Sequence, residues 1–385
     1  MPPLREHCES NLDASVLNPP IVPDWSLSLR PELAELSAYV PADPAGIRVR
    51  LDANEAPPAT SPAVRAAVSR AVERTALERY PDARGRQLKA RIAERTGARP
   101  EEILLGTGSD EVISILLTAL SRARPPAPTA TVLAPTPTFV MYRVTARSNG
   151  LKPVEVPLDA KWDLDVGAMT RAIEMLRPNV VFVASPNNPT SNRVSDDRLA
   201  TVIEAAATQD ALVVVDEAYG DFAGTSVRAW RARYPNLAIL RTLSKVGLAA
   251  LRVGWLEADE GLVRELDKAR QPYNVSAVSQ AAAAAVLAEA WDDVLAQVAS
   301  VVGERDRVAT ALRALPGVDV APSHANFLWV GTPRPAGEVY ERLLAQGVLV
   351  RSFHAAGGRL ASRLRVTLGT PAENDDLLGA LAKVL

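Results

Sequence analysis

Residues 211–219 read ALVVVDEAY, an apolar and largely β-branched run that stops on a carboxylate. Nothing from Ala211 to Val215 alternates with polar residues, so a strand here has no wet face. It must be covered on both sides, as parallel strands flanked by helices are. Runs of the same kind recur at Ala130–Leu133, Val180–Val183, Leu237–Leu240 and Leu251–Trp255. With helical stretches between them, they predict an α/β fold built on a mostly parallel sheet covered by helices.

Working outward, Val64, Ala67, Val68, Ala71 and Val72 keep helical spacing within Ser61–Leu77, with Ser61 and Pro62 as cap and first-turn pair. A second helix is expected over Gln87–Thr96, stopped by Gly97. After Gln271 and Pro272 come an alanine-rich helix and a longer one over Asp292–Leu315, closed by Pro316 and Gly317. Beyond it the pattern turns to strand, strand, helix, strand at Val318–Ala321, Asn326–Val330, Ala336–Gln346 and Leu364–Leu368. That order predicts a smaller α+β unit. We expect residues 51–284 to form the large domain, with 31–50 and 285–385 in the small one. Pro2, Pro3, Pro19, Pro20 and Pro23 make residues 1–30 an extended arm.

Composition narrows the function. The 385 residues carry 43 Lys and Arg against 45 Asp and Glu, a net charge of -2, so no polybasic surface for nucleic acid is expected. The single cysteine, Cys8, excludes an internal disulfide framework, and His7, His324 and His354 show no metal-ligand spacing. The longest apolar stretch, Ala281–Ala288, is far short of the roughly 20 residues that cross a bilayer. The opening MPPLREHCES has no apolar segment behind its basic residue. No membrane partner and no secretory signal are read, and a cytoplasmic protein is expected.

Five polar clusters fall at strand ends or helix starts, where an open α/β sheet collects its ligands. They are Gly106-Thr107-Gly108-Ser109-Asp110, Ser185-Pro186-Asn187-Asn188-Pro189-Thr190, Asp216-Glu217-Ala218-Tyr219, Ser244-Lys245, and Arg252. Singly, each is weak. Together they describe a site for an anionic aromatic cofactor. The glycine turn opens a helix expected over Glu111–Leu120, whose N-terminus suits a phosphate, and Arg252 and Ser244 can join it there. Asp216, ending its strand, is placed to hold a proton on a pyridine nitrogen. Lys245 supplies an amine able to form a Schiff base with an aldehyde.

At this point the chain resembles the fold-type I aminotransferases that use pyridoxal phosphate, and within them the histidinol-phosphate aminotransferase family. The motifs that carry the likeness run in order from about Leu36 to the C-terminus: Leu51-Asp52-Ala53-Asn54-Glu55, Arg79-Tyr80-Pro81, the Ser185–Thr190 loop, Asp216–Tyr219, Arg241-Thr242-Leu243-Ser244-Lys245, and Leu364-Arg365-Val366-Thr367-Leu368-Gly369-Thr370. The resemblance implies transamination between an amino donor, histidinol phosphate, and a 2-oxo acid in histidine biosynthesis. It makes Lys245 both the Schiff-base lysine and the proton carrier, Asp216 the pyridinium partner, and Tyr219 and Asn188 donors to the phenolic oxygen. Phe139 would stack on the ring. Ser109, Asp110, Ser244 and Arg252 would hold the phosphate, joined by Tyr80 from a second subunit of a homodimer. Arg365 would bind the α-carboxylate and Arg351 the substrate phosphate, with Tyr39 reaching across from the partner and Asn54 beside them.

The sequence departs from that family in places. Ser244 to Arg252 is one residue shorter than usual and lacks an aromatic, so a tighter path is expected, with Gly247 permitting it. Ser191 stands where glycine usually ends its motif, Ala56 where asparagine often follows Asn54-Glu55, and Phe139 where tyrosine is common. The motifs around the cofactor also suit an aromatic or broad-specificity aminotransferase and a phosphothreonine decarboxylase of the same class. A non-enzymatic pyridoxal-phosphate-binding regulator is the remote alternative, since residues 1–30 are too short and too proline-rich for a helix-turn-helix.

Overall fold

Twelve strands fall into two sheets among the described residues of the computed structural model, which are Asp24, 28–38, 40, 42–58, 60–125 and 127–385. Most of the expected N-terminal arm, with Cys8 and His7, and also Tyr39, lies outside them. The described residues up to Ser37 belong to a unit of their own, in which Pro31–Glu35 make a short 3-10 helix.

The strands are β1 (Val49–Leu51), β2 (Ile103–Thr107), β3 (Thr131–Thr136), β4 (Lys152–Pro157), β5 (Val180–Ala184), β6 (Leu212–Asp216), β7 (Leu237–Thr242), β8 (Val253–Glu257), β9 (Asp319–Val320), β10 (Phe327–Gly331), β11 (Val348–Ser352) and β12 (Arg363–Thr367). The helices are α1 (Pro62–Glu73), α2 (Arg86–Thr96), α3 (Gly108–Ala119), α4 (Met141–Ser148), α5 (Val166–Leu176), α6 (Asp196–Thr208), α7 (Gly220–Ala223), α8 (Glu260–Leu266), α9 (Ala277–Glu289), α10 (Trp291–Arg313), α11 (Ala336–Ala345) and α12 (Pro371–Val384). Among the described residues no helix is long and apolar enough to cross a membrane.

The larger sheet has the order β2-β8-β7-β6-β5-β3-β4. Every pairing from β7 through β6, β5 and β3 to β4 is parallel, while β8 runs antiparallel to both its neighbours. The runs without alternation, β5 and β6, are buried along their whole length, as their composition required. The smaller sheet has the order β1-β11-β12-β10-β9, with β1 parallel to β11 and the rest antiparallel.

Local chemistry sets the boundaries. Ser61 caps α1 by accepting from the Val64 N–H, and Gly97 ends α2 in the left-handed conformation at φ 74°. Helix α3 begins earlier than expected, at Gly108 rather than Glu111, so the glycine turn is itself the first turn of helix. Four strands, β1, β2, β4 and β11, lie outside the runs above. β4 contains Pro153 and Pro157, which a central strand rejects and an edge strand tolerates, and it lies at the sheet edge. β1 is three residues long and pairs with β11 nearly three hundred residues away, so the two specify each other through tertiary contact rather than local pattern.

Candidate active site

The carboxyl ends of the parallel strands open on a cavity of about 660 Å³. Its lining includes Asn54, Ser109, Asp110, Phe139, Asn188, Asp216, Tyr219, Ser244, Lys245, Arg252, Arg351 and Arg365. Tyr80 is not among the lining residues: it is 82% exposed and stacks on Tyr273 at 4.7 Å. Tyr39 lies outside the described residues.

One end of the cavity is built for an anion. At the start of α3 the Thr107 N–H goes to the Glu111 carboxylate and the Gly108 N–H to the Arg252 carbonyl at 3.0 Å. Ser109 and Asp110, second and third in the helix, keep N–H groups that no intrahelical carbonyl can reach. Strand β8 comes so close that a Cβ on Gly254 would lie 2.5 Å from both the Gly108 carbonyl carbon and the Ser109 nitrogen. Only glycine allows that approach. The Arg252 guanidinium lies over the same turn, its Nη2 2.7 Å from where a Gly108 Cβ would stand, and its Nη1 is 3.5 Å from Ser244 Oγ. The short loop is wound from two turns. Ser244–Val246 and Ala249–Leu251 are each a turn of 3-10 helix, joined through Gly247 at φ 92°, and Arg252 itself is left-handed.

At the floor, Asp216 ends β6 and is buried. Its Oδ2 accepts from the Tyr142 hydroxyl at 2.6 Å and its Oδ1 from the Ala218 N–H at 2.9 Å. Burial raises its pKa from the usual 3.8 to about 6, against the two hydrogen bonds and the Lys245 charge, which pull it down. The next residue, Glu217, pairs with buried Arg241 at 3.1 Å, and Arg241 also meets Asp221 at 2.8 Å, tying the ends of β6 and β7 together. Lys245 follows β7 directly, with Nζ 5.8 Å from the centre of the Tyr219 ring.

The polar wall is ordered by donor and acceptor logic. Thr367 Oγ1 accepts from the Asn54 N–H and donates to Asn54 Oδ1, both at 3.0 Å, which fixes the amide. Asn54 Nδ2 therefore donates to the Tyr219 oxygen at 2.9 Å and leaves the Tyr219 hydrogen free for another acceptor. Buried Asn187 ties its loop together by donating to the Pro137 carbonyl and accepting from Thr138, so Asn188 projects into the cavity. Asn188 Oδ1 accepts from Arg365 Nη1 at 2.8 Å, leaving its NH₂ group to face a ligand, and Arg365 Nη2 bonds the Asp52 carbonyl.

At the mouth, Arg351 and Arg365 are direct partners across β11 and β12. Paired residues in an antiparallel ladder share a face. Both guanidinium groups thus serve one cavity.

Sequence reasoning missed Tyr142 and Phe353. Tyr142 follows Phe139 by one helical turn, a legible spacing, but nothing local says that its hydroxyl reaches Asp216. Phe353 lies two residues beyond Arg351, and strand alternation would have placed it at the cavity once β11 was assigned.

The chain matches the family model for class I and II aminotransferases over residues 47–381. It is 40% identical to a histidinol-phosphate aminotransferase from Methylibium petroleiphilum, covering 95% of this chain and 97% of the relative. Histidinol-phosphate aminotransferase 1 from Ralstonia nicotianae is 42% identical over 93% of this chain and 94% of its own. Among solved structures, histidinol-phosphate aminotransferase from Sinorhizobium meliloti in complex with pyridoxal-5'-phosphate superposes with a TM-score of 0.76 at 25% identity, covering 88% of this chain and 91% of that one.

Proposed function

Because the chain belongs to the class I and II aminotransferases, we propose that it transfers the amino group of histidinol phosphate to 2-oxoglutarate in histidine biosynthesis. Pyridoxal phosphate is the cofactor of this enzyme class, and the residues present fit it. The close approach at Gly254 leaves two helix N–H groups and Arg252 for a phosphate, and buried Asp216 faces the cavity as a partner for a ring N–H. When bound, the cofactor supplies an aldehyde that condenses with amines and a ring that takes up the electron pair released at the substrate's α-carbon.

Each side chain then has a task. Lys245 would hold the cofactor at its aldehyde carbon, and its free Nζ would move the proton at the substrate's α-carbon. Asp216 keeps the ring nitrogen protonated. Tyr219, its hydrogen released by Asn54, and Asn188, its oxygen occupied by Arg365, donate to the phenolic oxygen. Phe139 packs on the ring, and Ser109, Asp110, Ser244 and Arg252 bind the phosphate ester.

The observation that carries the substrate reading is the cross-strand pair Arg351 and Arg365. A carboxylate needs one fork. Two arginines on one face suit a substrate that brings a phosphate dianion. The test is a donor panel of histidinol phosphate, phenylalanine, tyrosine and phosphothreonine against 2-oxoglutarate. The expected result is a kcat/KM highest for histidinol phosphate, while equal use of phenylalanine would favour a broad aromatic aminotransferase, and carbon dioxide from phosphothreonine a decarboxylase.

The same proposal includes a cytoplasmic homodimer with shared sites, supported by Tyr80, which stands exposed and outside its own chain's cavity. Tyr80 and Tyr39 would then act on the partner's site.

A further inference from the structure

We propose that Tyr142 is a positioning residue for the reaction: its hydroxyl holds the Asp216 carboxylate ionised and aimed at the cofactor's ring nitrogen. The inference rests on the functional reading above and adds a residue to it.

The Tyr142 side chain has little freedom. It is 1% exposed, its ring is stacked on Phe182 at 4.5 Å and 3°, and Phe139 meets it edge-on at 5.5 Å. Phe182 lies inside β5, hydrogen-bonded along its length to β6, and β6 ends at Asp216. The Tyr142 ring, carried by α4, is thus seated on the strand next to the one that carries the carboxylate, and packing fixes the 2.6 Å hydrogen bond between them. Tyr142 supplies a side-chain donor to one Asp216 oxygen, and the other oxygen takes the Ala218 backbone N–H.

The bond has work to do because the surroundings oppose ionisation. Asp216 is wrapped in protein, and the Asp110 carboxylate adds like charge. Lys245 adds a favourable charge, and Tyr219 faces the Tyr142 hydroxyl as a further titratable neighbour. Burial and Asp216 push the Tyr142 phenol well above its ordinary pKa, so it keeps its proton and remains a donor throughout the working range. A carboxylate that accepted its own proton in this position would lose its grip on a pyridinium.

The test uses Tyr142→Phe, which keeps the ring and its stacking and removes only the hydroxyl. Thermal unfolding of the cofactor-free full chain is followed from pH 4 to pH 8 for wild type, Tyr142→Phe, Asp216→Asn and the double variant. Losing a charge-assisted hydrogen bond moves the Asp216 transition up by about one pH unit. The difference in Tm between Tyr142→Phe and wild type should therefore open only as Asp216 ionises, and vanish in the Asp216→Asn background. In the loaded enzyme the pH midpoint of the cofactor's absorbance should move, with kcat lowered about tenfold and KM little changed. A Tm gap of the same size at every pH, or one that persists with Asp216→Asn, would mark Tyr142 as a packing residue and overturn the proposal. Cofactor binding by wild type with such a result leaves the functional reading standing, whereas a wild type that binds no pyridoxal phosphate removes both.

Discussion

Changing Gly254 to alanine tests the phosphate end of the site with a single methyl group. That methyl would sit 2.5 Å from the Gly108 carbonyl carbon and the Ser109 nitrogen, where unstrained contacts between heavy atoms lie near 3.5 Å. Both obstacles are backbone, so no rotamer change relieves them, and the start of α3 must move away by roughly 1 Å or β8 must bend. Overpacking of this kind costs about 1–3 kcal/mol of stability. The larger effect falls on the ligand. The Ser109 and Asp110 N–H groups and Arg252 are aligned by this contact, and a charge-assisted hydrogen bond lost to misalignment costs about 1.5–3 kcal/mol, or roughly 10- to 150-fold in pyridoxal phosphate affinity. The assay is titration of the cofactor-free variant with pyridoxal phosphate, with urea unfolding in parallel to separate affinity from stability. Gly303→Ala is the control, because it lies within α10 with nothing inside 4 Å of the added carbon. Equal cofactor affinity in Gly254→Ala and wild type would refute the argument that this approach builds the phosphate site.

Arg351→Gln should lower kcat/KM for histidinol phosphate by about 2 kcal/mol, roughly 30-fold, the low end for a lost charge partner because Arg351 is exposed; the half-reaction with glutamate should change much less, whereas Arg365→Gln should impair both. For the cofactor-free protein, Asp216 carries a folded pKa above its unfolded one, so its contribution is full below pH 3.8 and is lost as pH rises through about 6. Asp216→Asn should accordingly gain on wild type by up to about 3 kcal/mol between pH 4 and pH 7 in urea unfolding, and saturating pyridoxal phosphate should reverse the order. Ser191 is fully buried at φ 63°, so Ser191→Gly should relieve left-handed strain and stabilise by up to about 1 kcal/mol, offset in part by a weak 3.5 Å bond from Ser191 Oγ to the Pro322 carbonyl.

Much of this was legible because the local signals and the tertiary structure agree. The run before Asp216 has no wet face, and β6 is the buried centre of its sheet. The glycine turn before Ser109 opens a helix, and the spacing of Arg351 and Arg365 turns out to be the register of two antiparallel strands. What escaped was fixed at long range. β4 hides behind its prolines, β1 and β11 are defined by each other, and the Tyr142 hydroxyl finds a partner 74 residues further on. Ser191 lies between these cases: the sequence marks it only as a departure from a motif that usually closes on glycine, and the structure supplies the reason glycine is usual there, a left-handed backbone at φ 63°.

The central claim is that Lys245 bonds the cofactor. Borohydride reduction of the purified protein with pyridoxal phosphate, followed by proteolysis and mass mapping, reads it directly. One stable phosphopyridoxyl label is expected, on the peptide carrying Lys245, with its loss in Lys245→Ala. A label on another lysine, or no label with saturating cofactor, would contradict it.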